Sequence, residues 1–136
     1  MSLLHPTPGM IIDRISILNL KIDAYLKADR RTNALEEELM ELEAFLDSQG
    51  KDSREIDKLR NSLYACNRSI WDRENELRSM PCRGQTDEWN LSALKKLAKC
   101  AVEIAKVNDE RVNLMRKIDA AFGSVRSVEE KIHVIY

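Results

Sequence analysis

Glycine and proline are scarce in this chain, four and three among 136 residues. A protein built of short strands and tight turns needs more of both. Aromatic residues are only 5%, which also counts against a sheet core. No run approaches about eighteen consecutive apolar residues, so no segment is expected to span a membrane. The N-terminus has neither a basic stretch nor the roughly 7–15-residue apolar run of a signal peptide. Charge of one sign is lacking too. With 22 basic and 23 acidic residues the net charge is −1. There is no basic excess of the kind that nucleic acid or an anionic membrane surface would attract.

Cysteine is sparse and patternless. Cys66, Cys82 and Cys100 are odd in number and form no Cys-x-x-Cys or Cys/His metal spacing. Cys66 lies on an apolar stripe and Cys100 beside one, so both are expected as small core residues in a reduced, cytoplasmic setting. His5 and His133 sit in terminal segments without metal-ligand spacing. No glycine-rich phosphate loop, Gly-x-Ser-x-Gly elbow or Cys/His dyad is present. Glu37, Glu38 and Glu41 have the spacing with which helical pyrophosphohydrolases hold Mg²⁺. The second acidic pair that such a site needs on the next helix is missing, so a solvated helix face is expected. Neither a metal nor a cofactor is expected.

What is abundant is charge, 33% of residues, together with leucine and alanine. That composition belongs to an all-α chain, and the length suits one domain over residues 1–136. Thr7 and Pro8 open a first helix that should run to about Asp29. Its stripe of Ile11, Ile15, Leu18, Ile22 and Tyr25 is widened by Ile12, Ile17 and Leu20, as in a helix touched on several sides. After a turn over 30–32, Asn33 with Glu36 predicts a capping box. The second helix then carries Leu35, Leu39, Leu42 and Leu46, and stops at Gly50. A third starts near Asp52 and ends by Pro81. After a loop from Met80 to Asn90, a fourth runs from Leu91 to Phe122, with Gly123 as its C-cap. Ser127 to Glu130 form another capping box before a short apolar tail, Ile132 to Tyr136, expected to be docked. Short connections make neighbours antiparallel, so an up-down-up-down four-helix bundle with long third and fourth helices is expected.

The two long helices carry coiled-coil stripes at 3-4 spacing. One is Ile56, Leu59, Leu63, Cys66, Ile70, Arg73, Leu77, Met80; the other is Leu94, Leu97, Ala101, Ile104, Asn108, Arg111, Met115, Ile118, Phe122. Polar residues interrupt them at Arg73, Asn108 and Arg111. A buried polar group costs kilocalories unless it is partnered. Trp71, Glu74 and Arg78 share one face beside the first break. Either Glu74 and Arg78 pair on the surface at i, i+4, or a guanidinium and a carboxylate stand in a cleft that suits a carboxylate or phosphate ligand. Asn108 and Arg111 form a second polar layer, serving either to fix register or to bind an anion. Counting ~1.5 Å per residue from the helix tops sets the two layers ~18 Å apart. Glu74 then lies near Lys95, Lys96 and Lys99, and Asn108 and Arg111 lie level with Asp13 to Lys21. Asp13 becomes the expected partner of Arg111 or Lys117. The second helix is too short to cover the long pair, so Leu94, Leu97, Ile70 and Leu77 would be bare and a homodimer is expected.

These residues resemble an uncharacterised bacterial family of short helical proteins. The family pattern begins Ser/Thr-Pro-Gly-Glu-Leu-Ile-Asp-Lys-Ile-Thr-Ile-Leu, and this chain reads Thr7-Pro8-Gly9-Met10-Ile11-Ile12-Asp13-Arg14-Ile15-Ser16-Ile17-Leu18. Its Leu-Trp-x-x-Glu-Asp-x-x-Arg helix corresponds to Ile70-Trp71-Asp72-Arg73-Glu74-Asn75-Glu76-Leu77-Arg78. Its Asn-Asp-x-Arg-x-x-x-Lys helix corresponds to Asn108-Asp109-Glu110-Arg111 with Lys117. Its closing Gly-Ser and Glu-Glu-Lys are Gly123-Ser124 and Glu129-Glu130-Lys131. Met10 replaces the capping glutamate, Asn75 the aspartate and His133 a tyrosine. Asn75 weakens any acidic-pair metal site. The resemblance implies a helical domain with no established activity, often associated with bacterial surface-polysaccharide synthesis.

Three functions remain open from the sequence. One is a dimeric binding or accessory module whose polar layer holds an anionic small molecule or a partner segment, with Asn108, Arg111 and Arg78 donating and Asp13 and Glu74 orienting them. Another is an Mg²⁺-dependent enzyme on a phosphorylated or nucleotide-sugar substrate, with Glu74 or Asp13 as base or ligand. A third is a structural oligomer. Asp13, Lys21, Trp71, Glu74, Arg78, Asn108, Arg111 and Lys117 are the candidate residues.

Overall fold

A computed structural model describes residues 6–51, 53–80 and 91–123. Four helices follow in order, α1 (Pro8–Lys27), α2 (Asn33–Ser48), α3 (Arg54–Ser79) and α4 (Leu91–Ala121), with no strand among the described residues. The fold is the expected all-α four-helix bundle. The Met80–Asn90 loop beyond Met80, Cys82, both histidines, Asp52, the Ser127 capping box and the C-terminal tail lie outside the described residues.

α1 touches each of the other three helices, and α3 and α4 form the longest pairing. That is why the α1 stripe is so broad. Ile11, Ile12, Ile15, Leu18 and Leu20 are all buried. The core gathers Ile11, Ile12 and Ile15 with Leu46 of α2, Leu63 of α3, and Met115 and Ile118 of α4. Burying such side chains stabilises by about 1.5–3 kcal/mol each. α2 buries only Leu46 fully and leaves Met40 and Phe45 in solvent. It is held to its neighbours by Arg14–Glu38 from α1 and Arg60–Glu43 from α3.

The helix ends repeat some expectations and correct others. The Thr7 hydroxyl accepts from the Met10 N–H at 3.2 Å, as its place before Pro8 predicts. α1 stops at Lys27, two residues early, because Asp29 takes the left-handed conformation (φ 56°) usually reserved for glycine. The Arg30 N–H then donates to the Tyr25 carbonyl at 2.8 Å and the Asp29 N–H to that of Leu26, a Schellman closure. The Arg30 guanidinium lies over the Tyr25 ring, which secures the turn. At α2 the expected Asn33 capping box does not form. Asn33 is already helical, and Thr32 precedes it without a side-chain cap. At α3 the cap is Ser53, whose hydroxyl accepts from the Ile56 N–H. Gly50 and Gly123 both have positive φ and terminate their helices as expected.

One contact fixes how α1 enters the bundle. The Gly9 N–H, unpaired within the first turn of α1, donates to Asp119 Oδ1 at 2.7 Å. Asp119 is buried, and a carboxylate there also meets the positive end of the α1 dipole. The approach is close enough that a β-carbon at Gly9 would collide with the Met115 carbonyl and lie 2.9 Å from Asp119 Oδ1.

Candidate functional site

The chain is unusual in placing a carboxylate, Asp13, on the buried face of α1. Two polar residues on other helices answer it. Arg111 of α4 grips it with both edges of the guanidinium, Nε to Oδ1 at 2.8 Å and Nη2 to Oδ2 at 2.5 Å. Asn67 of α3 donates from Nδ2 to Asp13 Oδ1 at 2.9 Å and to Ser16 Oγ at 2.5 Å. The Ser16 hydroxyl donates in turn to the Asp13 carbonyl at 2.9 Å. On the solvent side, Arg111 Nη1 donates to Asn108 Oδ1 at 3.1 Å. The side chain of Asp13 is 9% exposed and that of Arg111 28%.

The expected Asp13–Arg111 pairing is therefore present, and it ties three helices together. Its electrostatics are those of a closed pair. The hydrogen bonds to Asp13 raise the Arg111 pKa above its ordinary value, burial opposes them, and the charges of Asp13 and then Glu74 add to the rise. A buried pair of this kind adds little net stability over an apolar substitute, but losing one partner leaves an unanswered charge. Asn67 and Ser16 had no sequence signal of comparable weight. Asn67 follows Cys66 on the α3 stripe, and Ser16 is one turn beyond Asp13.

The remaining candidates divide. Glu74 pairs with Arg78 at 3.8 Å within the helix, where both are well exposed, and Arg78 also donates to Asn75. This is the surface-pair arrangement, worth a few tenths of a kilocalorie. Trp71 is half-buried one turn before Glu74. Lys21 does not join the polar layer. Its charge acts on Glu38 of α2, whose carboxyl is held low chiefly by its hydrogen bond to Arg14. Lys117 does not reach Asp13 either; it lines a groove between α3 and α4.

The spacing of the two layers needs correction. Arg73 pairs with Glu103, Cys100 Sγ meets the Arg73 carbonyl, and Cys66 Sγ faces Glu110. Glu74 is thus level with about residue 102, not with Lys95 to Lys99. It stands only ~9 Å along the axis from Asn108 at ~1.5 Å per residue. The helix tops are not flush, because α4 begins beyond the end of α3. Glu74 is close enough for its charge to act on Arg111, so the layers are electrically coupled without sharing a hydrogen bond.

The break at Arg73 is answered by Glu103, which the sequence reading had not singled out. The carboxylates do not converge on a metal position. No group of three His, Cys, Asp or Glu side chains with that geometry occurs among the described residues. Glu38, the middle member of the acidic triplet on α2, is spent on Arg14 at 2.6 and 2.9 Å.

Along the other side of the α3–α4 pair runs an open groove of about 520 Å³. Small residues of α3 form its floor, Ser62, Ala65, Cys66 and Ser69, and Val107, Glu110, Leu114 and Lys117 of α4 form its wall. Burial, and then the Glu110 carboxylate, push the Cys66 thiol up, away from the reactive thiolate. Against models of protein families, curated proteins and solved structures, the chain has no match.

Proposed function

We propose that this chain is a helical binding or accessory module that works as a homodimer through the end of its α3–α4 pair. In this reading the Asp13–Arg111 layer sets the geometry of the bundle. The observation that carries the reading is the exposed upper stripe of α4. Of that stripe Leu94 is 42% exposed, and Leu91 (68%) and Val102 (55%) stand exposed beside it. Leu97, Ile104, Ile70 and Leu77 on the same pair are only half-buried. A heptad stripe left bare is matched by another heptad stripe, and a second copy supplies one.

The closed state of Arg111 weighs against an anion as the primary ligand. Nε and Nη2 are committed to Asp13, so an incoming phosphate would have to displace a buried carboxylate. The Mg²⁺-dependent enzyme loses support for the same reason, since Asp13 is committed to Arg111 and Glu74 to Arg78. A thermal-shift screen with sugar phosphates and nucleotide sugars, with and without Mg²⁺, would revive either if the melting point rose. The family resemblance would set such an accessory module beside bacterial surface-polysaccharide synthesis. Sedimentation equilibrium at micromolar concentration tests the reading. A dimer mass is expected, and a monomer mass would sink it.

A further inference from the structure

The groove between α3 and α4 opens on a different face of α4 from the Asp13 layer, and its wall has a simple spacing. Glu110, Asn113, Leu114 and Lys117 fall at i, i+3, i+4 and i+7, in line along two turns of the helix. Glu110 and Lys117 are exposed, and neither has an ion-pair partner among the described residues. Opposite charges placed two turns apart are complementary to the same helix reversed. Let a second α4 lie antiparallel to the first, with a two-fold axis passing between Asn113 and Leu114. Glu110 of each copy then meets Lys117 of the other. We infer that the groove is an isologous contact between two copies of this chain, separate from the contact proposed at the upper end of the α3–α4 pair.

The floor admits such a partner. Ser62, Ala65 and Ser69 have short side chains, so a second helix can come close to α3. Val107 and Leu114 are only half-buried in the single chain and supply the apolar part of the contact. The nearby charges of α3 are already matched, Arg68 by Asp72 and Arg73 by Glu103. Glu110 and Lys117 are left to fix register and direction, the usual part of charges at an interface. From Val107 to Lys117 the wall is about 15 Å long. A contact of that length belongs to the small, concentration-dependent class. It is expected well above the micromolar range in which the upper-end dimer forms.

Leu94→Glu removes the upper-end contact and isolates this one. In that background, sedimentation equilibrium should give the mass of one chain at about 10 µM and approach that of two at about 1 mM. Adding Lys117→Glu, or Glu110→Lys, should weaken the association at least about tenfold, because each sets like charges together twice in the symmetric pair. A chain carrying both exchanges keeps the original net charge and should associate again. Circular dichroism confirms equal helix content in all four chains. The mass of one chain at every concentration would overturn the inference. So would an association that ignores the single exchanges, or one that the double exchange does not restore. The two contacts fail separately. An unmodified chain that is dimeric at micromolar concentration, with no further association through Lys117, removes only the groove contact. An unmodified chain that is monomeric there, yet pairs through Lys117 near 1 mM, removes only the upper-end one.

Discussion

At the scale of single residues, Asp13 is the most constrained group in the described chain. It accepts from Asn67 once and from Arg111 twice, so three donors on two other helices fix its position. Arg111→Met removes two of those bonds and leaves a buried carboxylate with Asn67 as its one remaining side-chain donor and no opposite charge. The expected cost is about 2–4 kcal/mol, read as a melting point lower by several degrees. Asp13→Leu together with Arg111→Met should recover much of that loss, because no charge is then stranded. An unchanged or higher melting point for Arg111→Met alone would mean that the guanidinium is an uncompensated binding group. Arg14 and Glu38 offer the contrasting case of an exposed pair. The folded state holds the Glu38 carboxyl below its ordinary value, chiefly through the Arg14 hydrogen bond. Its contribution is therefore full at neutral pH and is lost as pH falls through the folded value. With side chains about two-fifths exposed, Glu38→Gln should cost under about 1 kcal/mol at neutral pH. The difference from the unmodified chain should close in urea titrations once the pH falls below the ordinary glutamate range.

At the scale of elements, α1 is the helix on which the others assemble, and its first turn is where α4 locks onto it. Gly9→Ala tests that lock. Alanine is the better helix former by about 1 kcal/mol, yet its β-carbon would meet the Met115 carbonyl and Asp119. Overpacking against backbone costs about 1–3 kcal/mol, so a net loss of stability in urea denaturation is expected. The helices themselves were legible because their 3.6-residue stripes, the Thr7 and Pro8 start and the Gly50 and Gly123 ends are local signals. Asp29 was not legible as a terminator, since aspartate adopts positive φ only when its surroundings hold it there. The Asn33 capping box failed because a sequence pattern cannot say which residue is already helical. The Asp13–Arg111 meeting could be read from heights along the helices. The roles of Asn67, Ser16, Glu103 and Asp119 could not, because each depends on which face of one helix meets which face of another. Register between α3 and α4 was misjudged for a related reason, the unequal starts of the two helices.

At the scale of the whole molecule, two surfaces remain after the interior is accounted for. The lower groove beside Cys66 is floored by the small residues of α3 and walled by Val107, Glu110, Leu114 and Lys117 of α4. The upper α3–α4 end, with Leu94 and Val102 in solvent, is matched by a second copy. No described helix is long and apolar enough to cross a membrane, so a lipid bilayer spanned by one of them is not what covers these side chains. The polar layer, level with the groove on another face of α4, fixes how α1, α3 and α4 meet. Sedimentation equilibrium of the full chain beside Leu94→Glu tests this most directly, with circular dichroism confirming equal helix content. A dimer for the unmodified chain and a monomer for Leu94→Glu is the expected result. A monomer for the unmodified chain, or a dimer that survives the glutamate, would contradict it.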